Sequence, residues 1–359
     1  MKSEQWDSIP SEKVLVCYNE PTRYYNNYLG KETGSISDEV DLSEREFLKQ
    51  IENIKKILSK KFESVETLAV NGDARSIMKK ISQYSPNVIV NFVESVEGNA
   101  SLESYAAGLF DLLEIPYTGN HPMSLGNCLA KDRTKIILQS HGIKTPQYQI
   151  AQFNRIPSKK EFALNFPCIV KLAKEDASIG ISEFSVINDY NTLTERLKYL
   201  FKSFRQEVII EEYIEGRELN VAVLGSETLP ISEIRFDGLP GDLPKIITYE
   251  AKWSPDSIYY KYTIPKCPAE LQSGIKEKIN KIALEAFDAL ECRDYARVDI
   301  RLNSKNIPYV IEVNPNPDIS PDAGFVRSAA AAGISYEQLL FQITNMALKR
   351  KLYDTQTAN

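Results

Sequence analysis

The chain has 359 residues, which at about 100–200 residues per domain predicts two or three domains. Hydrophobic residues make up 43% and charged residues 26%, which excludes wholesale disorder, and 16 glycines with 18 prolines leave no room for long flexible linkers. A net charge of −6 argues against a nucleic-acid partner, and the two histidines, His121 and His141, exclude chemistry built on several imidazoles, so catalysis falls to carboxylates and lysines.

Residues 13–18 form a short β-branched and apolar run, followed by turn-forming residues and an amphipathic stretch over 43–62 with capping-box spacing at Ser43-x-x-Glu46. Apolar runs at 65–70 and 87–93, separated by a helix-like segment to Ser82, complete a β-α-β-α-β pattern and predict an open parallel sheet. Asn19-Glu20-Pro21 follows the first strand where a dinucleotide fold needs glycines, so a Rossmann dehydrogenase is not expected. Two short helices are predicted after Thr118-Gly119, the second stopped by Gly142. Strand-like runs at 168–172, 207–212, 219–224 and 229–236 then surround two helices, one opened by Ser158-x-x-Glu161 and one over 193–204. This is an α+β texture with hairpins. A long amphipathic helix over 269–290, strands at 295–302 and 308–313, and helices over 325–332 and 336–349 finish the chain.

Five scattered cysteines with no Cys-x-x-Cys pair read as reduced thiols rather than a disulfide or zinc framework. The N-terminus lacks the basic start and apolar core of a signal peptide, and the apolar runs are too short to span a bilayer. A soluble cytoplasmic protein without a membrane partner is expected.

Polar residues interrupt the late strands. Arg297 and Asp299 are two apart, as are Glu312 and Asn314, so each pair shares a strand face. A hairpin across 303–306 would bring an Asp, a Glu and an Asn together beside an arginine, a donor set that suits magnesium. A half-exposed hairpin with ordinary ion pairs is the alternative. Lys171 ends an apolar strand and precedes a small-residue loop containing Ala177, Ser178 and Gly180, which could fold over phosphates or be a simple turn. Glu211, Glu212 and Glu218 flank the turn at 214–216; they suit hydrogen bonds from a ribose or amine, or form a solvated acidic turn.

Taken in order, these segments resemble the ATP-grasp superfamily and, within it, the D-alanine:D-alanine ligase-like branch. The resemblance runs from about Asn91 to Leu340. It is carried by Ile115-Pro116-Tyr117-Thr118-Gly119, Lys131-Asp132-Arg133-Thr134-Lys135 with Gly142-Ile143-Lys144-Thr145-Pro146, Val170-Lys171 with Ser178-Ile179-Gly180, and Glu211-Glu212-Tyr213-Ile214-Glu215-Gly216-Arg217-Glu218. Tyr249-Glu250-Ala251-Lys252, Arg297-Val298-Asp299 and Glu312-Val313-Asn314 complete it.

The resemblance implies an ATP-grasp fold behind an N-terminal open parallel α/β domain, with domains at 1–130, 131–218 and 219–359. It implies ATP and two magnesium ions, with manganese an allowed substitute, and small-molecule carboxylate and amine substrates; a homodimer is compatible with it. Lys131 and Lys171 would contact phosphates and the adenine edge, Ser178 and Gly180 would line the phosphate loop, and Glu211 to Ile214 (with Glu212 and Tyr213) would form the adenine hinge. Glu218 would hold the ribose, Lys252 the terminal phosphates, and Asp299, Glu312 and Asn314 the metals, while Arg297 would stabilise a tetrahedral oxyanion. The implied reaction is ATP-dependent amide formation through an acyl phosphate.

The substrate end departs from the pattern. Ala177 replaces a serine, Trp253 replaces a tyrosine, and the loop after Asn314 carries Asp318, Asp322 and Ala323 in place of a Pro-Gly and a carboxylate-binding serine. Added carboxylates should repel a free α-carboxylate, so an acceptor other than D-alanine is expected. Simple capping by Asp318 and Asp322 of the helix near Gly324, and packing of Trp253 in a closed loop, are the bland alternatives. A true D-alanine:D-alanine ligase and a non-catalytic nucleotide-binding regulator are the competing functions. The joint retention of metal and phosphate ligands argues against the regulator.

Overall fold

The first β-branched run becomes strand β1 (Lys13–Asn19), which pairs in parallel with β2 (Ser64–Val70) on one side and β3 (Val88–Phe92) on the other. The computed structural model describes residues 11–20 and 42–357, apart from the side chains of 42–47 and 351–357. Helices α1 (Leu42–Leu58) and α2 (Ala74–Tyr84) supply the crossovers, as the alternating pattern requires. The side chains of Ser43 and Glu46 lie outside the described residues. Successive β1 residues serve opposite layers. Val14 and Val16 pack with Ile51, Ile54 and Leu58 of α1, whereas Leu15 and Cys17 pack with Ile77 and Ile81 of α2. Both faces are covered, which is why this strand reads as a continuous apolar run.

Helix α3 (Glu103–Leu112), not foreseen from the sequence, follows β3; its apolar residues are too continuous to show a periodic face. Two short helices, α4 (Pro122–Leu129) and α5 (Lys131–Ser140), come next, and Gly142 ends the second at φ +72°.

A four-stranded antiparallel sheet follows, built from β4 (Tyr148–Ala151), β5 (Cys168–Leu172), β6 (Val186–Ile187) and β7 (Val208–Glu212), in the order β4-β7-β5-β6. Helix α6 (Tyr190–Phe204) buries Leu193, Leu197, Leu200 and Phe201 against Cys168, Val170, Leu172, Val208 and Ile210. The helix expected at Ser158 is a single turn, closed by Ser158 N–H donating to Glu161 Oε2 at 2.8 Å and Glu161 N–H to the Ser158 carbonyl at 3.0 Å. Pro167 disfavours helical backbone at Phe166, so too few residues remain to propagate a nucleus.

The last sheet comprises β8 (Gly216–Leu224), β9 (Glu227–Thr228), β10 (Ser232–Arg235), β11 (Ile264–Lys266), β12 (Tyr295–Asn303) and β13 (Pro308–Asn314). It is antiparallel, ordered β11-β10-β8-β12-β13, with β9 on the flank of β8. Short helices α7 (Tyr249–Trp253) and α8 (Ile258–Tyr262) intervene between β10 and β11, and α9 (Ser273–Ala289) covers one face through Ile279, Ala283, Ala286 and Phe287. Gly216 opens β8 at φ +147°, where a Cβ would stand 2.1 Å from the Leu302 carbonyl oxygen, so only glycine lets β8 pair fully with β12. Helices α10 (Gly324–Ala331) and α11 (Tyr336–Thr357) return to the start: Phe325, Leu339, Leu340 and Ile343 share a core with Val14, Val16 and Leu58.

Candidate active site

In the central sheet, Val170 and Leu172 point into the α6 core, so Lys171 stands on the opposite face with Glu211. The Lys171 ammonium lies 3.0 Å from Glu211 Oε2, and Lys135 of α5 reaches Oε1 at 3.1 Å. Lys135 is fully buried and also donates to Thr145 Oγ1 at 2.9 Å. Burial pushes the Glu211 carboxyl up, but the two ammoniums outweigh it and hold the group below its ordinary range. Burial pulls Lys135 down against the attraction of Glu211. It acts the same way on Lys171, where Glu211 and Glu312 prevail and raise the group. The Glu211 carboxylate is thus turned inward between two lysines, which leaves its backbone to form the start of the expected hinge.

Lys131 begins α5, with its backbone N–H on the Ala173 carbonyl at 3.1 Å. Its ammonium donates to the Glu175 carbonyl and lies 3.6 Å from Asp176 Oδ1, so it closes over the loop after β5. Within that loop Ala177, Ser178 and Gly180 have φ of +53°, +61° and +73°. Left-handed backbone at Ala177, which lacks a side chain able to bond locally, costs about 1 kcal/mol and curls the loop tightly. At the end of β7, Glu212 N–H bonds the Gln147 carbonyl at 2.8 Å and Tyr213 N–H the Pro167 carbonyl at 3.0 Å, while Ile214 is buried.

The third sheet contributes a polar face. Val298, Ile300 and Leu302 of β12 face the α9 core, leaving Arg297, Asp299 and Arg301 on the other side. Cross-strand register sets Asn220 and Glu312 beside Asp299, Asn314 beside Arg297, and Glu218 beside Arg301. The register shifts between Asp299 and Ile300, so that Val310 joins the core while Glu312, of the same parity, faces the site. Arg297 grips Asp299 through two hydrogen bonds of 2.8 Å, and Asn220 and Asn314 donate to Asp299 at 2.6 and 3.0 Å. Arg301 lies 3.1 Å from Glu218 and stacks over Tyr213 at 5.5 Å. Burial raises the Glu218 carboxyl despite that arginine.

Glu312 makes no side-chain hydrogen bond among the described residues. Burial pushes its carboxyl up, but Lys131, Lys171, Arg297 and Lys252 together pull it down to about 2. Lys252 lies on α7, accessible to solvent yet surrounded by protein; the desolvation and Arg297 lower its pKa, while Glu312, Asp299 and Asp176 oppose them. Cations from all three segments therefore converge on one carboxylate that is fully ionised at neutral pH.

The acceptor-side residues are less engaged. Trp253 is 54% exposed and meets Tyr249 at 6.4 Å, so it does not pack inside a closed loop. Asp318 accepts from the Ser320 N–H at 2.7 Å and from its hydroxyl, forming a local turn, and Asp322 contributes only its carbonyl, to Arg327. Neither carboxylate caps α10, whose N-cap is Ala323 without a side-chain bond. Two further acids belong to this group: Glu94, solvent-accessible yet surrounded by protein, is raised to about 7 by that desolvation with Asp318 and Asp176, and burial with Glu94 and Asp176 raises the half-buried Glu103 well above its ordinary range.

The sequence reading assigned no role to Lys135, Asn220, Arg301, Glu94 or Glu103. Lys135 follows Lys131 by four residues on a helix, and Arg301 continues the alternation of Arg297 and Asp299; both spacings were available as signals. Asn220 and the two acids come together only through the fold.

No three His, Cys, Asp or Glu side chains cluster as a metal cage among the described residues. Asp299, Glu312 and the Asn314 amide form instead a partial oxygen set beside four cations. That set fits magnesium, which keeps open positions for phosphate oxygens and water.

The family described as D-ala D-ala ligase C-terminus matches residues 137–345. The chain is 32% identical over 256 residues to the D-alanine–D-alanine ligase A of Bacillus cereus, covering 71% of this chain and 79% of that protein. It is 30% identical over 297 residues to the protein y4sG of Sinorhizobium fredii, covering 79% and 84%. The D-alanine–D-alanine ligase of Bacillus anthracis, solved with ATP, matches with a TM-score of 0.70 at 26% identity over 96% of this chain and 99% of that one. The Coxiella burnetii D-alanine–D-alanine ligase shares the fold, with a TM-score of 0.68 at 17% identity over 97% of both chains.

Proposed function

The chain belongs to the D-alanine–D-alanine ligase family of the ATP-grasp superfamily and is a C–N bond-forming ligase that uses ATP; from that premise we propose that it joins an amino-acid-like carboxylate to an amine acceptor other than D-alanine. The convergence of Lys131, Lys171, Lys252 and Arg297 on Glu312 carries the chemistry of this reading, because so many fixed cations are what a triphosphate needs.

In this reading the N-terminal α/β unit spans 1–130, and ATP lies between halves at 131–218 and 219–359. Lys131, Lys171 and the loop with Ser178 and Gly180 hold phosphates. The backbone of Glu212 to Ile214 meets adenine, and Glu218, fixed by Arg301, meets the ribose. Asp299, Glu312 and Asn314 hold magnesium, which supplies charge neutralisation on the transferring phosphoryl group. An oxygen of the substrate carboxylate attacks the γ-phosphorus and ADP leaves. The amine then attacks the acyl carbon and phosphate leaves. Lys252 steadies the terminal phosphate, and Arg297 faces the tetrahedral oxyanion.

The acceptor is argued from charge. Desolvation by the surrounding protein raises Glu94 and Glu103 most, and the neighbouring Asp176, with Asp318 on Glu94 and Glu94 on Glu103, adds to it; an acid-rich pocket of this kind disfavours a free α-carboxylate and favours a cationic or hydrogen-bond-donating group. The second reading, joining of two D-alanines, is favoured by the relatives' own names. ADP release across a panel of D- and L-amino acids, dipeptides and diamines separates the two. Efficient turnover with D-alanine alone at low concentration would overturn the proposed acceptor class.

A further inference from the structure

Asn316 stands between Pro315 and Pro317, two residues beyond Asn314, and both ends of its amide are engaged. Its Oδ1 accepts from the Asn120 N–H at 3.0 Å and from Asn120 Nδ2 at 3.3 Å, and its Nδ2 donates to Glu103 Oε1 at 3.0 Å. Asn120 is fully buried and clamps the same loop elsewhere: its Nδ2 donates to the Pro315 carbonyl and to the Tyr295 carbonyl at 2.9 Å, and its Oδ1 accepts from Arg293 N–H at 2.7 Å. Gly119 makes the approach feasible. At φ +84°, a Cβ there would lie 2.3 Å from Asn316 Oδ1. Gly119 is itself held, its N–H on Asp294 Oδ2 at 2.8 Å and its carbonyl on Arg293 Nε at 2.9 Å.

Only a short primary amide offers a donor to a carboxylate and an acceptor to a backbone N–H from one side chain at this reach. Aspartate would lose the donor and set a second carboxylate against Glu103; serine would be too short to meet both partners. The flanking prolines fix φ near −65°, so the loop has few ways to absorb a displacement before it reaches Asn314. From Glu103 on α3 the linkage thus passes through Asn316 to Asn314, which bonds Asp299 at 3.0 Å.

We propose that Asn316, anchored by Glu103 and Asn120, is a positioning residue that lets the N-terminal unit set the placement of Asn314 against Asp299, and with it the divalent-cation dependence of the reaction. This rests on the ligase reading for the role of Asn314 and deepens it by adding a determinant outside the oxygen set. Hydrogen-bond partners of metal ligands commonly change affinity by about 10–100-fold, and Asn316, which reaches Asn314 through the backbone of Pro315, should fall at the lower end of that range.

The test compares N316A, N316D, E103A and E103Q with the parent. Three measurements are made: magnesium dependence of ATP binding by calorimetry without a second substrate, steady-state ADP release, and thermal melting. Expected for N316A and E103A is a rise of about tenfold in half-saturating magnesium and a similar fall in kcat, with KM for the carboxylate within about twofold. E103Q keeps an amide oxygen for the Asn316 donor and should match the parent in the magnesium dependence of ATP binding measured without a second substrate, whatever it does to the acceptor, and the N316A/E103A pair should be no worse in that titration than either single change. Unchanged magnesium dependence and kcat in N316A, even with a lowered melting temperature, would reduce Asn316 to a structural contact and overturn the proposal. Should N316A fail to fold, the contrast of E103A with E103Q decides in its place. A parent that binds ATP with magnesium but turns over no panel member would sink the ligase reading while the binding titration still judged Asn316. A parent that binds no ATP would end both.

Discussion

Asn314 donates its amide hydrogen bond to Asp299 Oδ2 at 3.0 Å, across the antiparallel pairing of β12 and β13. The bond fixes the side chain so that the Asn314 oxygen is left as an acceptor next to two carboxylates. Glu312 is the member of this set without a protein donor and with four cations around it. Glu312→Gln is isosteric and should keep the parent's fold by circular dichroism, though it should lose some melting temperature at neutral pH because the carboxylate is stabilised by four cations. It should lower magnesium-dependent ADP release by more than about 100-fold, since the neutral amide weakens both metal binding and charge balance at the phosphates. Parent-like turnover across a magnesium titration would remove Glu312 from the proposed metal set.

The Glu211 carboxylate is sealed between Lys135 and Lys171 and is a stabilising group of the central sheet. Glu211→Gln would leave two buried ammoniums without their anion, and breaking a buried pair this way costs about 3–5 kcal/mol. The folded-state pKa of Glu211 is depressed. Its stabilisation is therefore fully present above the unfolded carboxylate pKa of about 4.3 and is lost as pH falls through the lower folded value. Melting curves from pH 7 down to pH 3 should converge for parent and variant at the acid end. A constant gap would mean that packing, not charge, underlies the difference.

The two preceding sites show what one dimension reveals. Arg297, Asp299, Glu312 and Asn314 were legible because strand alternation puts residues two apart on one face, and the late hairpin formed as its spacing implied. The bulge between Asp299 and Ile300 was not legible, since nothing in the residues 308–313 says where one will be left out of register. Lys135 needed a partner 76 positions away, and the pairing of Asn316 with Glu103 spans 213. Such contacts are created by docking α3, α5 and the loop after β13 together, and no local pattern encodes them. At Ser158 the capping signal was real but Pro167 followed too soon, so the turn formed without its helix.

Trp253 is 54% exposed beside the cleft and meets Tyr249 only at a tilted 6.4 Å. Removing an exposed ring that fills no core should shift stability by no more than about 0.5 kcal/mol. As a proposed substrate-facing residue, Trp253→Ala should raise KM for the acceptor about tenfold with kcat for a saturating acceptor much less affected. Equal loss of stability and activity would instead mark it as a structural prop for α7.

Glu94 provides the clearest pH test, because desolvation by the surrounding protein together with Asp318 and Asp176 raises it to about 7 against the opposing pull of Lys252. Between the unfolded carboxylate pKa of about 4.3 and that value, the folded protein holds a proton that the unfolded chain has released. Stability therefore falls as pH rises through this window, and the loss is complete above it. Glu94→Gln cannot titrate, so it should gain on the parent at pH 8 and show little difference at pH 4. The same substitution should erase any inflection near neutrality in the pH profile of kcat/KM for a cationic acceptor, because Glu94 is the member of the acid group whose charge appears near pH 7. Parallel melting curves, or an inflection that survives the substitution, would show that Glu94 ionises without consequence for fold or acceptor.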